Sequence, residues 1–256
     1  MEVQILGAHG AEARGMRLTS LLIDGILAVD AGGLTSGLSL AEQEKVRAIL
    51  LTHHHFDHTR DLVTLGTNAG LWKPIRVYGL PQTLDIVKSY LLDGKMYINL
   101  LEWPSKENPC LQLQAVEPYK EESIEGYEVL PLPGKHTVPT VGYQITSADG
   151  ESLFYSGDTG PGLASCWEHI SPQLIITEVS GPNKFEDFLR NVGHLSPQLL
   201  KRELVEFHRL KGYLPRIILI HIAPQYEEEI KGEVVQVAEE LGVDMSLGHE
   251  DMRIIL

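Results

Sequence analysis

The sequence predicts an α/β fold of two mixed β-sheets covered by helices, and three observations predict it. Short β-rich runs follow one another directly as well as alternating with helical patterns, which suits two mixed sheets better than one doubly wound parallel sheet. Gly-containing turns punctuate the runs of the first half. A hydrophobic share of 43% in 256 residues supports a substantial core. No internal repeat, linker or composition shift marks a boundary, so residues 1–256 are expected to form a single domain.

Val3 to Leu6 opens as a strand, and Leu18 to Ile23 and Ile26 to Val29 follow as a pair joined at Asp24-Gly25, a dipeptide suited to a tight hairpin turn. Val46 to Leu51 and Ile75 to Tyr78 are the next apolar runs. Pro81 to Leu92 has a proline in its first turn and apolar residues at Leu84, Val87, Tyr90 and Leu91, which predicts a helix. Further strands are expected at Tyr127 to Leu130, Val141 to Thr146, Leu153 to Tyr155, Leu174 to Thr177 and Ile217 to Ile220, with helices over Pro197 to Arg209 and Glu227 to Glu239.

The formal net charge is −14, whereas a protein that grips a long nucleic acid normally offers a Lys/Arg surface to its phosphates. A stable nucleic-acid partner is therefore not expected, while bound cations would make a local site attractive to a small anion. The acidic run Glu227-Glu228-Glu229 is expected as a solvated helix face. Cys110 and Cys166 are too few for a disulfide framework and are expected as reduced thiols. No apolar run approaches the ~20 residues of a membrane-crossing helix, and the start lacks the features of a secretory signal. A cytoplasmic protein without a membrane partner is expected, with a homodimer as the default for an enzyme of this size.

Four of the eleven histidines fall in Thr52-His53-His54-His55-Phe56-Asp57-His58-Thr59, directly after the apolar run Ala48 to Leu51. The pattern His53-x-His55-x-Asp57-His58 offers imidazoles and a carboxylate from one short loop, the donors that Zn, Mn or Fe accept. His54 lies between the matched positions and is expected to point away. Further candidates stand at strand ends or in turns: His136, Asp158 and His221. Each alone is what a turn or a strand end supplies. Together with the first cluster they suit two divalent cations, with Asp158 able to bridge through its two oxygens. Zinc is the first expectation, with manganese or iron as alternatives.

This order of residues resembles the metallo-β-lactamase superfamily, with its HxHxDH pattern followed by His, Asp and His. The resemblance spans residues 1 to 256 and implies a four-layer αββα sandwich. It also implies one metal on His53, His55 and His136, a second on Asp57, His58 and His221, and Asp158 shared. Asp158 replaces the Cys that the commonest lactamase subclass carries there, which turns the expectation toward phosphoesterases and thioesterases.

Two cations can generate a hydroxide nucleophile and neutralise a phosphoryl oxygen, but they supply no proton to a departing alkoxide; a His held by a carboxylate does. Glu178 and His194 stand at a strand end and a helix start suited to that pair. Their context, Ile176-Thr177-Glu178-Val179-Ser180 and Gly193-His194-Leu195-Ser196-Pro197, is similar to class II cyclic nucleotide phosphodiesterases, as are His136 to Tyr143 and His221-Ile222-Ala223-Pro224. Transfer RNA 3′-processing endonucleases, ribonuclease Z-like, share residues like Glu178 and His194. The resemblance implies hydrolysis of a small anionic phosphodiester, a 3′,5′-cyclic AMP or GMP type. His194 would be the proton donor, Glu178 would orient it, and Asp57 would orient or deprotonate the nucleophile. The alternatives are an RNA 3′-processing endonuclease, a glyoxalase II-like thioesterase and a non-enzymatic metal-binding protein.

Overall fold

The computed structural model describes residues 1–70 and 73–256. The first sheet takes β1 (Glu2–Gly7), β2 (Ser20–Ile23), β3 (Leu27–Val29), β4 (Ala48–Leu50), β5 (Ile75–Gly79) and β6 (Leu111–Ala115). The second takes β7 (Glu122–Ile124), β8 (Tyr127–Pro133), β9 (Val141–Thr146), β10 (Ser152–Tyr155), β11 (Leu174–Glu178), β12 (Arg216–Ile220) and β13 (Met245–Leu247). The last strand, β14 (Arg253–Ile255), returns to the first sheet and pairs antiparallel with β1. Beside it, the Leu256 amide donates to the Met1 carbonyl at 3.1 Å. Each sheet is mixed and seven-stranded, ordered β14-β1-β2-β3-β4-β5-β6 and β13-β12-β11-β10-β9-β8-β7.

Helices α1 (Leu40–Gln43), α2 (Phe56–Thr59), α3 (Leu62–Asn68) and α4 (Pro81–Ile86) come from the first half of the chain. Helices α5 (Ala164–Trp167), α6 (Glu186–Asn191), α7 (Pro197–Lys211) and α8 (Glu227–Leu241) come from the second. Three apolar clusters define the layers. Ile5, Leu21, Val29 and Leu50 meet Val129, Tyr143, Tyr155 and Ile176 between the sheets. Leu62, Leu65 and Leu84 cover the outer face of the first sheet. Trp167, Leu200, Phe207, Ile230 and Val234 cover that of the second. The result is a four-layer αββα sandwich, as the sequence leads one to expect.

Asp24 and Gly25 both adopt positive φ, 46° and 71°, as a two-residue hairpin turn requires. The helix expected over Pro81 to Leu92 begins at Pro81 but continues from Val87 to Leu91 as a π-helical turn. β8 runs three residues past its expected end through Pro131 and Pro133. β7 pairs only with Tyr127, Glu128 and Val129, so both prolines lie where β8 has a strand partner on one side only, the Pro131 carbonyl accepting instead from the Tyr119 amide of the preceding loop. Among the described residues, no helix is long and apolar enough to cross a membrane. Both cysteines are free and buried.

Strands β3 to β6 are mutually parallel, as are β10 to β13. The C-terminal ends of β3, β4, β10, β11 and β12 therefore open onto shared edges, where loops carry Asp30, His53 to His58, Asp158, Ser180 and His221. β8, antiparallel to β9 as β9 is to β10, delivers His136 to the same edge.

Candidate metal centre

Two groups of side chains converge at this edge. His53, His55, His136 and Asp158 form one, and Asp57, His58, Asp158 and His221 the other, each with donor atoms mutually within 4.8 Å. All seven residues named from the sequence are thus brought together, with Asp158 in both groups. His54 belongs to neither and its ring centre lies 5.8 Å from that of His55.

The rings are aimed by what holds their outer nitrogens. Thr52 Oγ1 donates to Asp30, so at 3.0 Å it can only accept from Nδ1 of His53. His58 Nδ1 donates to Asp30 Oδ2 at 2.7 Å, and His136 Nδ1 donates to the Gly193 carbonyl at 3.0 Å. Nε2 of all three rings is thereby left for the centre. His55 differs, presenting Nδ1 at 3.1 Å from His136 Nε2. His58 Nε2 lies 3.3 Å from Asp158 Oδ1, and His221 Nε2 lies 3.2 Å from both Asp57 Oδ2 and Asp158 Oδ2. His221 itself has φ +60°, a left-handed turn that directs its ring inward from the end of β12.

The charges are unbalanced in a way that fits cations. His53 Nε2, His58 Nε2 and Asp158 Oδ1 are buried without a hydrogen-bond partner, a costly condition unless something else satisfies them. Burial pushes His53 well below the usual imidazole range. Burial opposes the charge of His58 too, but Asp158 and Asp30 outweigh it and raise that imidazole well above its usual range. Divalent cations would replace the protons that the carboxylates otherwise favour on these imidazoles. The donor set, imidazole plus carboxylate, suits Zn, Mn or Fe.

Beside the centre, Glu178 is buried at the end of β11 and its Oε1 accepts from His194 Nδ1 at 2.8 Å. Glu178 outweighs the effect of burial and lifts the His194 imidazole to about 9. The His194 ring lies 4.8 Å from that of His136 and stacks on that of His221 at 5.4 Å. Gly193 makes this approach feasible: it has φ +75°, and a Cβ there would stand 2.7 Å from His136 Cα. Glu178, His194 and His221 also lie close enough to form a third donor group. Ser180 Oγ stands among the three, within hydrogen-bond distance of each, so hydrogen bonding accounts for that cluster.

A cavity of about 880 Å³ opens next to His136 and Gly193, walled by Leu80, Pro118 and Pro139 and edged by Lys135 and Arg190. Arg190 is paired with Glu186 at 2.6 Å. Lys135 has no carboxylate within 4.0 Å among the described residues. Sequence reasoning missed Asp30 and Ser180. The signal for Asp30 was a carboxylate directly after an apolar strand in Val29-Asp30-Ala31-Gly32; Ser180 had only its place two residues beyond Glu178.

Residues 20–222 match the family described as beta-lactamase superfamily domain. Ribonuclease Z of Pyrococcus abyssi (strain GE5 / Orsay) is 26% identical, the match covering 91% of this chain and 78% of that protein. Unliganded yeast PDE1 superposes with a TM-score of 0.83 at 18% identity over 100% of this chain and 99% of that one. The short form of human tRNase Z does so with 0.72 at 18% identity over 100% and 99%. The two structural likenesses are likenesses of fold.

Proposed function

This chain belongs to the beta-lactamase superfamily domain family, and from that premise we propose that it is a metal-dependent hydrolase of phosphoric diester bonds. Its cations would be held by His53, His55 and His136 on one side and by Asp57, His58 and His221 on the other, with Asp158 between them. The orphaned Nε2 atoms of His53 and His58 and the orphaned oxygen of Asp158 support that assignment. We read residues 1–256 as one hydrolase domain, because the centre draws side chains from both sheets.

Divalent cations at such a centre make a water-derived nucleophile available near neutral pH and neutralise charge on the phosphoryl oxygens. The protein's own groups do the rest. His194, held through Nδ1 by Glu178, delivers a proton from Nε2 to the leaving oxygen. Asp57, whose side chain keeps 25% of its surface exposed, is placed to orient the attacking water and take its proton. Leu80, Pro118 and Pro139 exclude water from one wall of the cavity, and Lys135 contributes a positive charge for an anionic substrate.

The Glu178–His194 pair, a buried carboxylate holding a half-buried imidazole, is the observation that carries this reading. A thiolate departs without protonation, so a thioesterase would have no use for it. For the substrate we favour a small cyclic nucleotide of the 3′,5′-cyclic AMP or GMP type, supported by the net charge of −14 and by the sequence context of Glu178 and His194. RNA 3′-end processing is the second reading, supported by the identity with ribonuclease Z along most of the chain.

The test is turnover of 3′,5′-cyclic AMP, a 3′-extended transfer RNA precursor and bis(p-nitrophenyl) phosphate with Zn or Mn added. Asp158→Ala is expected to abolish all activity. His194→Ala is expected to cost about 100-fold or more on the natural esters, the usual contribution of a general acid. Cleavage of the RNA alone would select the second reading, and a His194→Ala variant with full turnover and full metal would remove the proton-donor assignment.

A further inference from the structure

The Ser180 hydroxyl touches both halves of the proposed machinery. Its Oγ lies 2.6 Å from Glu178 Oε2, 2.7 Å from His221 Nδ1 and 3.0 Å from His194 Nδ1. Its backbone is pinned as well, the Ser180 amide donating to the Leu195 carbonyl at 3.0 Å while the neighbouring Val179 amide donates to the Ile220 carbonyl at 3.0 Å. These bonds tie it to the residue after His194 and to the residue before His221.

A hydroxyl has one proton and two lone pairs, and a carboxylate can only accept. Glu178 Oε1 is filled by the Thr159 amide and His194 Nδ1, and Oε2 receives the Leu195 amide and the Ser180 hydroxyl. Once the Ser180 proton goes to Oε2, its oxygen has only lone pairs left for the two imidazoles. Both must then carry their hydrogen on Nδ1. For His221 this leaves the Nε2 lone pair directed at Asp57 and Asp158; for His194, held at Nδ1, it leaves Nε2 to carry the second proton that faces a leaving group.

We propose that Ser180 is a positioning residue whose one hydroxyl sets the tautomer of His221 and, through Glu178 Oε2, the alignment of the carboxylate that holds His194. Nothing else bonds His221 Nδ1 among the described residues. His194 keeps its bond to Glu178 Oε1 when Ser180 is lost, but Glu178 then loses one of its two Oε2 donors and the alignment of the carboxylate slackens. Ser180 thus makes metal affinity and proton delivery depend on the same atom. The inference rests on the hydrolase reading and deepens it.

The test uses Ser180→Ala and Ser180→Thr in the full chain, with two readouts. Zinc affinity, measured by chelator competition without any substrate, is expected to fall about 10-fold or more in Ser180→Ala, the usual cost of removing the partner of a ligating histidine. With saturating metal, rates are measured along a series of aryl methyl phosphates of rising leaving-group pKa. Ser180→Ala is expected to stay within about threefold of the parent on the p-nitrophenyl ester and to fall by about 30-fold or more on the phenyl ester, steepening the dependence on the leaving group. Ser180→Thr, which keeps the hydroxyl, is expected to restore both. Unchanged zinc affinity in Ser180→Ala, an unchanged slope, or a Ser180→Thr variant as defective as Ser180→Ala would each overturn the proposal. A parent protein that binds zinc yet cleaves no member of the series removes the hydrolase reading itself, and with it the catalytic half of this one.

Discussion

Glu250 shows how much a single carboxylate near the chain's end stabilises the loop that leads away from β1. It accepts from His9 Nδ1 and from the Arg17 amide, both at 2.8 Å. These donors overcome the effect of burial and draw Glu250 down to about 2. Its folded-state value lies below the unfolded one, so its contribution is present above about pH 4.5 and is lost as pH falls toward 2. His9 is raised by the same contact, against the pull of burial. The two shifts describe one interaction and count once. Glu250→Gln is therefore expected to be less stable than the parent by about 2 kcal/mol at neutral pH, with the gap closing below pH 4.5. Thermal melts across that range in the presence of a chelator check it, and a gap independent of pH would refute the linkage. The same clasp corrects the expectation for the acidic run after His221. Glu228 and Glu229 face solvent, but Glu227 lies 3.5 Å from the buried His9.

Elements differ in how plainly the sequence announces them. The strands that line the core are runs of branched apolar residues, and their ends were legible within two residues except at β8, which runs three past its expected end. β6 reads Leu-Gln-Leu-Gln-Ala at a sheet edge, and β13 and β14 have three residues each, too short for a pattern to emerge. The loop from His53 to His58 was legible because four proposed ligands sit within six positions. Asp30 and Ser180 act on those ligands from other strands, and one Asp or Ser after a strand looks the same whether it caps, turns or orients. Gly193 belongs to the same class. Gly193→Ala would press a methyl group against His136 Cα and the Lys135 carbonyl and strain a φ of +75°. It is expected to lower turnover about 100-fold, the scale of a 1 Å misplacement of catalytic groups. Gly212→Ala is the control: it has φ +78° at the end of α7 but nothing within 4 Å, so it is expected to cost about 1 kcal/mol of stability with activity intact. Equal losses of activity in both variants would show that crowding at Gly193 is irrelevant.

At the scale of the whole molecule, charge and centre oppose one another. A net charge of −14 repels an anionic substrate at long range, while the proposed cations and Lys135 attract it nearby. Salt screens the distant repulsion more than the close attraction. Raising ionic strength from about 20 to 200 mM is therefore expected to leave KM for cyclic AMP unchanged or lower it by about twofold. A protein that grips RNA through many phosphate contacts would instead weaken about 1000-fold over a comparable range. Steady-state kinetics in graded salt distinguish the two, and a steep rise in KM would move the assignment to the RNA reading.

The pairing of β14 with β1, and the bond from the Leu256 amide to the Met1 carbonyl, make this sandwich nearly a closed loop of chain. Where the backbone is interrupted then matters little to the architecture. A circular permutant that joins residue 256 to residue 1 through a short Gly/Ser bridge and opens at the exposed Asp149-Gly150 turn, between β9 and β10, is expected to fold and to keep its turnover. The order in which its parts emerge would change, with β10 to β13 first, the His53 to His58 loop only after Asp158 and His221 are already in the chain, and β7 to β9 of the second sheet last.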